Sequence, residues 1–577
     1  MHSSNPLTVA SRAAAVFALT SSVALAQPAP TAPAPTTAAP TTAAPTTAAP
    51  PPQLVVLITV DQMLPDYLER WGGEFTGGLA RFVNQGALFI NGSHDHATTE
   101  TAPGHATLGS GRHPRNTGIV RNEAGVQDPQ AALVDSGRGG GASPYRFRGS
   151  SLFDWMRARD PWARALSVSR KDRGAILPLG RAKQSAYWYS TDGRFITSRY
   201  YADTLPTWVH DFNRRDVVSA LAGASWTTLK PASAYAERDL VRRENSGRDL
   251  VFPHVLPTER ARRASLLTEY PVMDSITVAL ALHGVDAMKL GGGTSTDFLS
   301  LSLSTTDAVG HRYGPDSREM HDQVLRVDQY LGQFIDSLYR MRDSTRILFA
   351  LSADHGVTPF PELFFAGSDS TRGRVDQRPT FARARSALAA FGVEGDALEF
   401  ESGLVVLDTA RLRRRNVPVD SVIGALRTEF RALPGVMRVD AVPELAALAA
   451  RGDKYARRWY NAIPPDMDAV LTITLEPNHY WLAYANAAHG MPHDSDARVP
   501  IVFLGPAFVT GRYDVPARTV DVAATLAKAL DIAPIEPIDG VPLLEALGGD
   551  LKRGTLSPAR PITPAVSATS SGAPRRR

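Results

Sequence analysis

Four short, continuously apolar runs in this chain end in, or closely follow, a carboxylate or an imidazole. LVVLITV (Leu54 to Val60) ends in Asp61, and FLSLSLS (Phe298 to Ser304) runs into TTDAVGH. RILFALSA (Arg346 to Ala353) ends in Asp354 and His355, and VPIVFLG (Val499 to Gly505) follows AAHGMPHDSD. Short apolar runs like these suit strands buried on both faces of a sheet. Between the second and third, Met320, Val324, Val327, Leu331, Phe334 and Leu338 recur at steps of four and three, which predicts an amphipathic helix over Asp316 to Met341. Strand, helix and strand in succession make a parallel crossover. Ligands of open parallel sheets bind beyond the carboxyl ends of the strands, where these runs place their acids and histidines.

The 577 residues, 43% of them hydrophobic, are enough for one large α/β domain or several ordinary ones. Basic and acidic residues nearly balance, 62 against 58, so charge gives no case for nucleic-acid binding. Cysteine is absent, which excludes disulfides, thiolate nucleophiles and Cys-ligated metals. Any metal must be held by His, Asp and Glu.

Residues 1–26 read as a secretory signal peptide: Arg12, then the apolar AAAVFALTSSVALA, then small residues at Ala24 and Ala26. The apolar stretch is too short for a comfortable membrane span, so the mature chain is expected in the periplasm or outside the cell, with no stable span. Residues 27–53, built on a recurring APTTA unit, carry nothing to bury and read as a disordered linker. A catalytic domain is expected over 54–550, with an irregular, aromatic-rich insertion at about 180–293 capping the ligand edge, and a disordered tail over 551–577.

Collecting the acids and histidines near strand ends gives Asp61, Asp307, His311, Asp354, His355 and His489. Singly, each Asp reads as a turn or helix cap, and the Asp307-x-x-x-His311 spacing is common by chance. Together at one sheet edge they are hard to explain as independent caps. Three Asp and three His suit zinc, or less well manganese or iron. Six ligands are too many for one tetrahedral ion; with a hydroxyl added they suit two ions, the arrangement that clamps attacking and leaving oxygens in phosphoryl transfer.

DQM, TETAPGHATLGSGRHPRNTGIVRN, SRKDRGAILP, TTDAVGH, ADHG and AAHGM occur in an order that resembles the alkaline phosphatase superfamily. More narrowly, the chain resembles the threonine-nucleophile, phosphate-irrepressible alkaline phosphatases, relatives of the nucleotide pyrophosphatase/phosphodiesterases. The resemblance spans roughly Val55 to Ala546. It implies an alkaline-phosphatase-like three-layer α/β sandwich: a mostly parallel central sheet, helices on both faces and an inserted cap. It makes Thr101 the nucleophile, Asn122 a contact to a phosphate oxygen, and Lys171 and Arg173 cationic contacts to the transition state. Of two zinc ions, one would be held by Asp61, Asp354, His355 and the Thr101 oxygen, the other by Asp307, His311 and His489.

A threonine hydroxyl is a poor nucleophile until a divalent cation stabilises its alkoxide. Pro103 and Gly104 are expected to shape a tight turn into a helix whose N-terminal amides face the anion. Thr98 and Thr99 are the rival hydroxyls, His105 is expected to be structural, and His493 is read as an outer or surface residue in preference to an extra ligand. A phosphate monoester presents more charge than a diester, so the cations of KDR favour a monoesterase, although such triplets are usually exposed loops. The alternatives are a phosphodiesterase or nucleotide pyrophosphatase on the same site, or a metal-dependent phosphotransferase or mutase. Small phosphate monoesters are the expected partners, and a monomer is favoured.

Overall fold

The computed structural model describes residues 51–548 except 124, 137–139, 364–372 and 483–486. The signal peptide, residues 27–50 of the linker and the tail lie outside the described residues. An eleven-stranded sheet organises the chain, with Leu54–Val60 near its centre. That strand pairs in parallel with Asp297–Leu303 on one side and Ile347–Ser352 on the other. Ala165–Ser169 and Ser185–Ser190 continue the parallel array.

All seven residues of Leu54–Val60 are buried, as an unalternating apolar run requires. Leu54, Val56, Ile58 and Val60 enter one core, Val55 and Leu57 the opposite one. Helices therefore cover both faces, which is the three-layer sandwich the resemblance implied. The crossover helix runs Arg318–Met341, capped by Ser317, whose hydroxyl accepts from the Met320 amide at 3.0 Å. Its Met320, Val324, Val327, Leu331, Phe334 and Leu338 are all buried in the first core, each contributing roughly 1.5–3 kcal/mol on full burial.

Ile501–Leu504 breaks the parallel pattern, pairing antiparallel with Ile347–Ser352. The reversal has a positional effect: the loop entering this strand arrives at the edge where its parallel neighbours end. His489 reaches the ligand edge by preceding a strand, while Asp61, Asp307 and Asp354 reach it by following one.

The segment 180–293, expected as a cap, contributes to the central sheet and its packing. Ser185–Ser190 and Arg194–Ser198 extend the central sheet, and the helix Val272–Ala287 packs on its first core. A separate layer comes from farther along the chain, where Leu398–Glu401, Leu404–Leu407, Ala469–Leu475 and Val436–Ala441 form a four-stranded antiparallel sheet. Its core, with Phe381, Leu388, Leu426, Phe430 and Ile473, joins the helices Arg378–Ala390 and Val419–Arg431 to that sheet. Phe400, Glu401 and Ser402 of this lobe line the cavity opposite the sheet edge.

Candidate active site

Thr101 is the first residue of the helix Thr101–Ser110, every residue of which is buried. Pro103 and Gly104 therefore sit inside a helical turn instead of forming a turn before it. Pro103 is tolerated because the first turn's amides need no intrahelical partner. The Ala102 amide does not face an open anion site: it donates to Asn122 Oδ1 at 2.9 Å. Asn122 thus acts as a side-chain cap, and its own amide donates to Glu100 Oε2 at 2.8 Å.

Lys171, almost fully buried, converges on Thr101. Its ammonium lies 3.1 Å from Thr101 Oγ1, 2.7 Å from Asp307 Oδ2 and 2.6 Å from Asp61 Oδ2. The rival hydroxyls are committed elsewhere: Thr98 donates to the Ala97 carbonyl at 2.7 Å, Thr99 to the Met491 carbonyl at 3.0 Å. Arg173 does not reach Thr101. Its nearest ion pair is with Asp172 at 3.6 Å, and its Nε has no hydrogen-bond partner among the described residues.

The three histidines share one wiring pattern. Nδ1–H of His311 donates to the Ala487 carbonyl at 2.7 Å, that of His489 to Thr99 at 2.7 Å and that of His355 to Gly356 at 2.9 Å. A carbonyl only accepts, so each ring holds its Nδ1 proton there and turns Nε2 into the site, the orientation of a metal-ligating histidine. His311 Nε2 and His489 Nε2 face each other at 3.2 Å, and Asp307 Oδ1 lies 3.2 and 3.6 Å from them. Two lone pairs and a carboxylate at these separations repel unless a cation lies among them. Ligands bonded tetrahedrally at zinc distances stand about 3.3 Å apart, which these spacings match.

The second set is similar. His355 Nε2 is 3.4 Å from Thr101 Oγ1, 3.5 Å from Asp61 Oδ1 and 3.7 Å from Asp354 Oδ2. Both oxygens of Asp61, and Oδ2 of Asp354, accept no aligned hydrogen bond although fully buried. Lys171 stands beside Asp61 Oδ2 and His105 beside Asp354 Oδ2, but one ammonium does not balance three crowded buried carboxylates, so the residues present fit a divalent metal at each set. Asp307 also lies close enough to Asp61 and His355 to be shared between the sets.

Electrostatics agree with a site built for cations. Burial and the Asp354 charge push the Asp61 carboxyl up, against the pull of Lys171. Burial acts the same way on Asp307, but Lys171 and His311 outweigh it and hold that carboxyl well below the ordinary range. Burial and the neighbouring His489 keep the His355 imidazole neutral, its pKa well below the usual value. For His489, burial opposes charge, yet the hydrogen bond and charge of Asp307 raise its pKa.

Two residues in the sequence motifs had no role assigned. Gln62, in the DQM stretch, is fully buried with φ +65°, and its amide donates to Asp354 Oδ1 at 3.1 Å. Its side-chain Nε2 donates to Asp307 Oδ1 at 2.8 Å, so one residue ties a carboxylate from each set. Glu100 accepts from Ser402 Oγ at 2.7 Å, joining the antiparallel lobe to the nucleophile's helix. His105 is an anchor, 3.2 Å from Asp354 Oδ2 and 3.0 Å from Ser302 Oγ. His493 lies outside both sets, its Nε2 donating to the Leu475 carbonyl at 2.9 Å.

A family model described as type I phosphodiesterase / nucleotide pyrophosphatase matches residues 55–462. The chain belongs to this family. The alkaline phosphatase PafA of Elizabethkingia meningoseptica is 29% identical over 533 residues, covering 86% of this chain and 95% of that protein. A Myroides odoratus protein named calcium-transporting ATPase is 30% identical over 523 residues, with 86% of this chain and 95% of that protein covered. The crystal structure of wild-type PafA superimposes with a TM-score of 0.79 at 28% identity, covering 87% of this chain and all of the other. Within this family the chain has the alkaline phosphatase fold and a metal-dependent site. No helix among the described residues is long and apolar enough to cross a membrane.

Proposed function

We propose that the chain is a secreted or periplasmic alkaline phosphatase that hydrolyses phosphate monoesters through a phosphothreonine on Thr101. The observation that carries this reading is the Lys171 ammonium, 3.1 Å from the Thr101 hydroxyl and paired with a carboxylate from each ligand set. A monoester brings two anionic oxygens to that point, and a buried cation favours it over a diester.

Zinc is the proposed metal, one ion with Asp61, Asp354, His355 and Thr101 and one with Asp307, His311 and His489. Divalent cations there supply the Lewis acidity that makes a threonine hydroxyl reactive at neutral pH and eases departure of the alcohol oxygen. In the first half-reaction Thr101 Oγ forms a bond to phosphorus as the phosphorus–alcohol bond breaks, its proton leaving to solvent and the alcohol taking one up. In the second, water attacks the phosphothreonine in line, inorganic phosphate departs and the Thr101 hydroxyl is restored. Lys171 steadies the nucleophilic oxygen and a non-bridging oxygen throughout. Asn122, its carbonyl committed to Ala102, has its side-chain NH₂ left to donate to phosphate. Arg173 supplies a second cation by extending from its pairing with Asp172.

The test compares kcat/KM for an aryl phosphate monoester and the matching methyl aryl diester in the wild type, Thr101→Ala and Lys171→Ala. Activity should collapse without Thr101, and the monoester preference should shrink without Lys171. A diester preference indifferent to Lys171 would move the chain to the phosphodiesterase reading.

A further inference from the structure

A cavity of about 280 Å³ opens beside the nucleophile, lined on one side by His311 and His489 and on another by the antiparallel lobe. Its lining is odd for an enzyme that takes in a phosphate dianion. Glu100, Glu123 and Glu401 all line it, whereas Lys and Arg are absent among its described lining residues. Phe400 and Trp481 add two aromatic rings, packed edge to face at 4.7 Å between centroids.

Three polar atoms on this wall have no hydrogen-bond partner among the described residues. Oε1 of Glu401 and Oε1 of Gln377 meet no donor, and Nε1 of Trp481, a residue 2% exposed, meets no acceptor. Arg121 pairs with Glu401. Even so, burial, followed by the hydrogen bond shared with Glu123, pushes the Glu401 carboxyl up to about 9. Glu401 thus keeps a proton that it shares with Glu123, whose carboxyl that hydrogen bond lowers, and a cation seated between the two carboxylates would displace that proton. Carboxylates beside aromatic faces also form the recognised chemistry for an ammonium group.

We propose that this cavity receives the alcohol half of the substrate and selects phosphate monoesters whose alcohol carries a cationic nitrogen, an inference that rests on the phosphatase reading above. The phosphoryl end lies against Thr101 and Lys171, and the ammonium against Glu123, Glu401 and the rings of Phe400 and Trp481. Trp481 Nε1 is left to donate to an oxygen of the ester.

The test uses the full zinc-loaded chain with phosphocholine and its carbon isostere, in which carbon replaces the quaternary nitrogen. The ratio of their kcat/KM values is measured in the wild type and in the Glu123→Gln, Glu401→Gln double variant, which cancels the inductive effect of the charge on the leaving group. The wild-type ratio should exceed that of the variant by about tenfold or more. Equal ratios, with both esters hydrolysed, overturn the inference. Should the double variant not fold, tetramethylammonium should slow wild-type phosphocholine turnover more than sodium chloride at the same concentration; equal effects overturn the inference. If neither alkyl ester nor an aryl phosphate is turned over, the phosphatase reading fails, and this inference with it.

Discussion

Replacing Gly104 by Ala is the sharpest probe of how the nucleophile is held. A Cβ built on Gly104 lies 2.0 Å from the Asp354 carbonyl oxygen, 2.6 Å from its carbon and 2.7 Å from its Cα. All three are backbone atoms at the end of a central strand, so no side chain can swing aside. Ordinary contact begins near 3.4 Å, so the helix must retreat by about 1.4 Å. Thr101 is one turn away on the same helix, and its oxygen stands only 3.4 Å from His355 and 3.1 Å from Lys171. A displacement of that size takes it out of reach of both. Misplacement by about 1 Å costs on the order of a hundredfold in rate, and overpacking costs about 1–3 kcal/mol in stability. Assaying kcat/KM on an aryl phosphate together with Tm should show both losses, with Gly72→Ala, whose Cβ meets nothing within 4 Å, as the silent control. Wild-type activity and Tm in Gly104→Ala would refute the account of a helix locked against Asp354.

Gln62→Ala removes the side-chain donor to Asp307 while keeping the backbone bond to Asp354. Divalent-metal affinity, measured by chelator competition, should weaken roughly tenfold to a hundredfold, and unchanged affinity would show that Gln62 does not orient the ligands. Asp274, fully buried and accepting from Thr305 and Gln323, has its carboxyl pushed up to about 6, chiefly by burial. A raised folded-state pKa favours the protonated fold, so its contribution is present below the ordinary value of 3.8 and lost as pH rises through about 6. Asp274→Asn, with the Gln323 amide free to turn its unpartnered Oε1 toward the new NH₂, should therefore flatten the fall in Tm across that window by the equivalent of a few kcal/mol (~3). Parallel Tm profiles for the variant and wild type would contradict this.

The central sheet was legible because its strands are buried on both faces and leave an unbroken apolar signature. The runs beginning at Leu54 and Arg346 fall within a residue of the observed strands. The ligands were legible because they cluster at the ends of those runs. The antiparallel lobe was not: its strands Leu398–Glu401 and Val436–Ala441 are short and only partly buried, so their apolar residues are interrupted like those of any surface segment. The wall it gives the cavity, through Phe400 and Trp481, left no motif. Gln62 was visible within DQM, but nothing in its type announces a left-handed backbone serving two carboxylates. Arg173 shows the opposite limit: its motif is clear, but contact with Thr101 depends on a side-chain path that spacing does not specify.

The reversed strand Ile501–Leu504 also sets when the site can exist. His489 lies more than four hundred positions after Asp61, and the loop carrying it is held at the edge by Thr99 and Thr358 from earlier in the chain as well as by the strand that follows. A chain emerging from its N-terminus would display Asp61 and Thr101 long before either ligand set could close. The set with Asp307 and His311 therefore closes last, after loop closure over nearly the whole domain, whereas the set with Asp61 has all its ligands by His355. A chain truncated before Ile501 keeps every ligand but loses the strand that follows His489, and should bind divalent metal more weakly at the Asp307 set.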